Sequence, residues 1–158
     1  MSYKRILVPV DGSPTAAQGM AEAIKLAREA RGQLMLLHVV EEFPALASPE
    51  SGVAIGPILE AMRRNGARIL KRIAKSAASS GVRVQTSLVE NYGARVADAI
   101  VAEAQRWKAD LLVMGTHGRR GVKRMLLGSD AEVVVRYSPI PVLLIPARGR
   151  GDTRKRSR

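Results

Sequence analysis

The chain has 158 residues, enough for one domain with a sizeable core, and carries 26 Lys and Arg against 14 Asp and Glu, a formal net charge of +12. It has no cysteine and only two histidines, His38 and His117, which excludes a disulfide framework, a thiolate metal site and a zinc site made by histidines alone. No apolar stretch approaches membrane-spanning length. The N-terminal apolar run is broken by Pro9 and Asp11, too early for a signal peptide, so the cytoplasm is the default location.

Lys4 to Val10 (KRILVPV) reads as a buried first strand. Asp11-Gly12-Ser13-Pro14 is a turn into a helix, with Ser13 as N-cap and Pro14 at the first helical position. Met20, Ala23, Ile24 and Ala27 recur at helical spacing, and Gly32 is the expected stop. Gln33 to Val40 (QLMLLHVV) is a second, almost continuously apolar strand, in which His38 is read as a satisfied core residue. Residues 41–56 hold two prolines and two glycines without a period, the pattern of a lid, a binding loop or a disordered segment.

A second helix is expected over 57–80. Ile58, Met62, Ile69, Ile73 and Ala77 form its inner stripe, and Arg63, Arg64, Arg68, Lys71, Arg72 and Lys75 lie outside. Residues 82–89 alternate apolar and polar, as in a half-exposed edge strand. A third helix is expected over 94–108, with Val96, Ile100, Ala104 and Trp107 inward.

The most informative stretch is 109–138, ADLLVMGTHGRRGVKRMLLGSDAEVVVRYS. Leu111 to Met114 form a buried strand that ends at Gly115. A glycine-rich basic loop follows, with Gly118, Arg119 and Gly121. Gly128-Ser129 opens a helix, with Ser129 the expected N-cap and Glu132 the partner of a capping box. Helix N-termini favour anions such as phosphate, and the glycines at 115, 118 and 128 permit close backbone approach. A fifth strand spans PVLLIP, residues 141–146.

Strands alternating with helices argue for an α/β fold, an open parallel sheet covered on both faces. Ligands bind such sheets beyond the C-terminal strand ends, where strand order reverses. Residues 1–146 form the expected domain. Residues 147–158 form a basic tail expected to be disordered, with six cations against Asp152.

The spacing G-x2-G-x9-G-S over Gly115, Gly118, Gly128 and Ser129 resembles the nucleotide-binding motif of the universal stress protein family, in its ATP-binding branch. The resemblance extends over about Tyr3 to Pro146 through KRILVPVDGS, LHVV, MGTHGRRG, LLGS and PVLLIP, in that order. It implies a Rossmann-like five-stranded sheet of order 3-2-1-4-5, a homodimer and ATP binding. Carried over residue by residue, it implies nucleotide contacts from Pro9, Val10 and Asp11, and from Val39 or Val40 against the adenine. It further implies contacts from Met114, Gly115, His117, Gly118 and Arg119 along ribose and phosphates, and from Gly128, Ser129 and Asp130 at the phosphates. Mg²⁺ is an option that the Asp130 carboxylate leaves open.

In the inferred order, Val142, Leu143, Leu144 and Ile145 lie at a sheet edge without blunting charge, so the dimer is expected there. There is no P-loop lysine pattern, no nucleophile elbow and no evident acid–base carboxylate pair. An ATP-binding stress or signalling module with at most slow turnover is therefore the leading expectation. The alternatives are a dimeric interaction module without functional nucleotide binding, and nucleic-acid binding through the basic tail and second helix. The last ranks third because aromatic stacking platforms are scarce.

Overall fold

The computed structural model describes residues 3–41, 54–91, 93–116 and 127–146. In chain order its elements are β1 (Arg5–Pro9), α1 (Pro14–Ala30), β2 (Gln33–Glu41), α2 (Ile55–Ala78), β3 (Arg83–Asn91), α3 (Val96–Arg106), β4 (Leu111–Gly115), α4 (Ser129–Tyr137) and β5 (Val142–Ile145). The five strands form one sheet, all neighbours parallel, in the order β3-β2-β1-β4-β5. The 147–158 tail and most of the 41–56 loop lie outside the described residues.

Alternation along each strand divides the core in two. Ile6, Val8, Leu34, Leu36, Leu111 and Val113 face α1 and α2, where Met20, Ala23, Ile69, Leu70 and Ala77 meet them. Leu7, Met35, Leu37, Leu112 and Met114 face α3 and α4, against Ala97, Ile100, Ala104, Ala131 and Val134. Apolar residues on both faces of a strand are what parallel sheets require, and they produce the unbroken hydrophobic runs of β1, β2 and β4. Burying a Leu or Ile side chain contributes about 1.5–3 kcal/mol, so this double layer dominates the stability.

Several element ends differ from the sequence expectation. Ser13 caps α1 as expected, its Oγ accepting from Ala16 N–H at 3.1 Å. The left-handed residue that ends α1 is Arg31 (φ 51°), not Gly32. Gly32 is a glycine for a different reason: a Cβ there would stand 2.8 Å from the Lys4 carbonyl oxygen. That crowding follows from the first rung of the sheet, Gln33 N–H to Lys4 O at 2.8 Å. Helix α2 starts two residues before Pro57, which falls in the first turn where no N–H partner is needed.

Trp107 is core, 7% exposed, with its indole N–H donating to Gln85 and the Arg5 guanidinium over its ring. Arg5 also donates to the Trp107 carbonyl at the end of α3. The Asp110 carboxylate accepts from the Lys4 and Arg5 N–H groups at 2.8 and 3.0 Å, tying β4 to the start of β1.

Glu103, 5% exposed on α3, is held by Arg106 at 2.5 and 2.7 Å. That hydrogen bond keeps the Glu103 carboxyl below its ordinary value; burial opposes it, and the Ser87 hydroxyl on β3 assists. A lowered folded-state value means stability that is present above the unfolded value and lost as pH falls through the folded one. Denaturant midpoints should therefore drop as pH falls below about 4.5, and Glu103→Gln should flatten that acid limb while lowering the midpoint at neutral pH. An unchanged acid limb in Glu103→Gln would contradict the assignment.

Gly66 gives a second test. A Cβ there would lie 2.5 Å from His38 Cδ2 and 2.8 Å from Leu88 Cδ1. Alanine would gain roughly 1 kcal/mol of helix propensity, but overpacking costs typically 1–3 kcal/mol. His38 cannot yield without abandoning a buried carbonyl, at a further 1–3 kcal/mol or so. Gly66→Ala should thus lower the thermal midpoint. A rise would show that the α2–His38 contact relaxes freely.

Candidate functional site

The site forms beyond the C-terminal ends of β1, β2 and β4, with β2 running four residues past its last pairing with β1. Val10, the residue after β1, donates its N–H to Leu37 O at 2.8 Å, and its carbonyl accepts from His38 Nδ1 at 2.7 Å. His38 is 7% exposed and carries its proton on Nδ1 toward Val10, the satisfied core histidine that the sequence suggested.

The His38–Val10 bond shapes the end of the sheet. Residues of a parallel strand point their backbone groups to alternate neighbours. Gln33 donates to β1 and Leu37 accepts from it, so Val39 is the next residue of β2 facing that side. β1 has already ended at Pro9, and the imidazole engages the carbonyl that would have continued the ladder. The Val39 N–H and C=O therefore point past the end of β1, into the crevice between the diverging chains.

The turn after β1 is built by Asp11. Its Oδ1 accepts from Ser13 N–H at 2.9 Å, a side-chain turn that hands the chain to the α1 cap, while Gly12 takes φ 80°. Asp11, His38, Val39, Val40, Glu41, Met62 and Asn65 line a cavity of about 100 Å³. His38, Glu41, Met62 and Asn65 were not among the expected site residues. Met62, Asn65 and Gly66 share one face of α2 at i, i+3 and i+4 spacing, and a polar Asn beside an apolar stripe was the available signal. Arg63 on the next position grips Glu90 of β3 through two bonds of 2.7 Å, holding this part of α2 over the strand ends.

Across the β1 turn, Met114 is buried at 7% exposure and Gly115 ends β4. At Gly115, where close ligand approach is the sequence expectation, a Cβ would lie 2.6 Å from Thr15 Cγ2. Its lack of a side chain is what lets the first turn of α1 sit against β4. Thr116 extends the β4–β5 pairing, its N–H donating to Ile145 O at 3.0 Å, and its carbonyl accepts from Gly128 N–H at 2.8 Å. The chain thus returns to the end of β4 just where α4 begins. His117, Gly118 and Arg119 fall within 117–126, outside the described residues.

The expected capping box at α4 is not formed. Gly128, extended at φ −61° and ψ 148°, is the N-cap, and Ser129 is the first helical residue. Its anchoring to Thr116 makes Gly128 the last residue outside the helix, and its carbonyl accepts the first helical bond, from Glu132 N–H at 2.9 Å. Among the described residues no side chain caps this end, and the N–H groups of Ser129, Asp130 and Ala131 belong to the first turn, where no intrahelical partner exists. Ser129 and Asp130 are exposed, and Asp130 and Glu132 both lie in the first turn. Met114, Gly115, Gly128, Ser129 and Asp130 are not part of the cavity lining; the site has a base-sized hollow beside β2 and a separate helix start beside β4.

This is a doubly wound α/β protein whose strand order reverses between β1 and β4, with the cavity on the β2 side of the β1 turn and the α4 start on the β4 side. The model of the universal stress protein family matches residues 2–146. A relative from Methanocaldococcus jannaschii, universal stress protein MJ0531, is 36% identical over 143 residues, covering 90% of this chain and 82% of the relative. The chain belongs to the universal stress protein family.

Among solved structures, that of the hypothetical protein MJ0577 superposes with a TM-score of 0.81 at 27% identity, covering 94% of this chain and 99% of that one. A universal stress protein solved in complex with cAMP superposes at 0.64 with 26% identity, covering 92% and 98%.

Proposed function

We propose that this chain is an ATP-binding universal stress protein, a nucleotide-responsive module with slow turnover at most. The observation that carries this reading is the hydrogen bond from Gly128 to Thr116, which sets an uncapped helix start beside the end of β4. Phosphates suit the N–H groups of Ser129, Asp130 and Ala131, where the helix dipole adds favourable potential. The adenosine then lies over the Asp11 turn and against Val39 and Val40, with Met62 and Asn65 as the far wall of the cavity. The outward-pointing backbone of Val39 offers one donor and one acceptor to an adenine edge. The cAMP complex of a relative supports an adenine nucleotide as the ligand class. Among the described residues no group of three or more His, Asp or Glu is arranged to hold a metal; in this reading Mg²⁺ arrives on the triphosphate, with Asp130 the nearest candidate carboxylate at the helix start.

Calorimetry with Mg·ATP tests the reading. Wild-type protein should bind, and Asp11→Ala should weaken binding by roughly 1–3 kcal/mol through loss of a charged hydrogen-bond partner. No heat and no competition at millimolar ATP would refute the pocket.

A specific feature also supports the homodimer. β5 lies at the sheet edge, and Val142, Leu143, Leu144 and Ile145 are each only partly buried. Nearby α4 exposes Val135 at 47% and Tyr137 at 63%. A second copy paired along β5 would cover this edge. Light scattering should give a dimer mass at micromolar concentration, and Leu144→Arg should return it to a monomer. A monomeric wild type would overturn the pairing, and would leave ATP binding as a separate question.

A further inference from the structure

The outer face of α2 is an unbroken line of positive charge. Arg64, Arg68, Lys71 and Lys75 follow one another at spacings of four, three and four residues, and all are exposed. This places them on one face, opposite the buried Gly66, Ile69, Leu70 and Ala77. Arg72 flanks the line, also exposed. Over eleven residues the stripe runs about 16 Å along the helix. The one acidic residue of α2 is Glu60, which approaches Arg63 at 3.5 Å and Arg64 at 3.6 Å. Among the described residues, Arg68, Lys71, Arg72 and Lys75 form no ion pair. Like charges at i, i+4 repel and weaken a helix, so the arrangement is unfavourable to α2 by itself and is relieved by a bound polyanion.

We propose that this face binds the phosphate backbone of double-stranded nucleic acid, without reading its sequence. Three observations select this partner. The apolar stripe of α2 is buried in the protein's own core, so the helix cannot insert into a bilayer as an amphipathic membrane helix does. The large exposed hydrophobic side chains among the described residues are Leu88, Leu127, Val135 and Tyr137, none of them on α2. The stripe thus lacks the apolar anchors that protein–protein interfaces are built on. No aromatic residue lies on α2 to stack an unpaired base, and no Asn or Gln lies on the stripe to read base edges. What remains is a row of cations, the chemistry of counterion release from a duplex. The surface is separate from the crevice at the strand ends and does not depend on nucleotide binding there.

The test is fluorescence anisotropy of the full-length protein with a labelled random-sequence DNA duplex over a salt series. Wild type should bind at low salt, with log K falling linearly in log salt. The variant R64Q/R68Q/K71Q/K75Q keeps helix-forming side chains and should melt like wild type. It should lose about 3.6 units of salt slope, near 0.9 for each of the four lost contacts, and about 100-fold or more in affinity at 50 mM salt. A tail variant, R154Q/K155Q/R156Q/R158Q, controls for the C-terminal cations. A reduced slope in the stripe variant supports the proposal whatever the tail variant does. Wild-type slope and affinity in the stripe variant would overturn it, as would no wild-type binding at low salt. Polyglutamate of matched charge competing as well as DNA would also overturn it, in favour of an acidic polypeptide partner. An equal preference for single strands would overturn the assignment to duplex.

Discussion

The hydrogen bond between Gly128 N–H and Thr116 O, 2.8 Å long, is the constraint on which the rest of the site depends. It joins the end of a buried strand at Thr116 to the start of a helix at Gly128, twelve residues later. With Gly128 held there, α4 must begin at Ser129, and its first N–H groups are directed to the same edge of the sheet as the Asp11 turn and the end of β2. Without that tie the helix start would not be fixed relative to β4, and the strand ends would offer a crevice with no fixed electropositive wall. The second constraint lies across β1, where the His38 imidazole occupies the Val10 carbonyl. It ends the β1–β2 ladder one rung early and leaves the Val39 backbone directed into the crevice. The first is a backbone tie and the second a side chain on a backbone carbonyl, and glycine is packed tightly close to each: Gly66 against His38 and Gly115 against Thr15.

The fold was legible because a parallel sheet buried on both faces writes itself as apolar runs. KRILVPV, QLMLLHVV, DLLVMG and PVLLIP each sit between helical periods, and the alternating 82–89 segment announced the edge strand β3. Strand order came with the family resemblance, since no local pattern specifies which strands neighbour one another. The misjudged helix ends have separate causes. Propensity put the cap on Ser129 and the stop on Gly32, whereas the long-range bond from Gly128 to Thr116 fixed the first and the local bonds of Arg31 to Arg28 O and Gly32 to Ala27 O, closing over a left-handed Arg31, fixed the second.

The site was half legible for a related reason. Asp11, Val39, Val40, Gly128 and Ser129 sit in recognisable strand-end and helix-start segments. Met62 and Asn65 reach the cavity only because α2 crosses over the end of β2, held by Arg63 on Glu90. That crossing is a tertiary fact, and in sequence Met62 is one more apolar residue of a helical stripe. Charge behaves similarly. A net charge of +12 says that a polyanion could be attracted; the helical period already put six cations outside, and the structure separates the exposed line of Arg64, Arg68, Lys71 and Lys75 from Arg63, which turns to Glu90.

The most direct test of the account is the amide NMR spectrum of the protein titrated with Mg·ATP. The central claim is that a nucleotide lies across the strand ends with its phosphates at the start of α4. Shifts should then concentrate at Val39, at the Asp11–Ser13 turn, and at Gly128, Ser129, Asp130 and Ala131. The outer face of α2 should stay still. Shifts confined to Arg64, Arg68, Lys71 and Lys75, with the α4 amides unmoved, would contradict it, because ATP would then be no more than a polyanion on the basic helix.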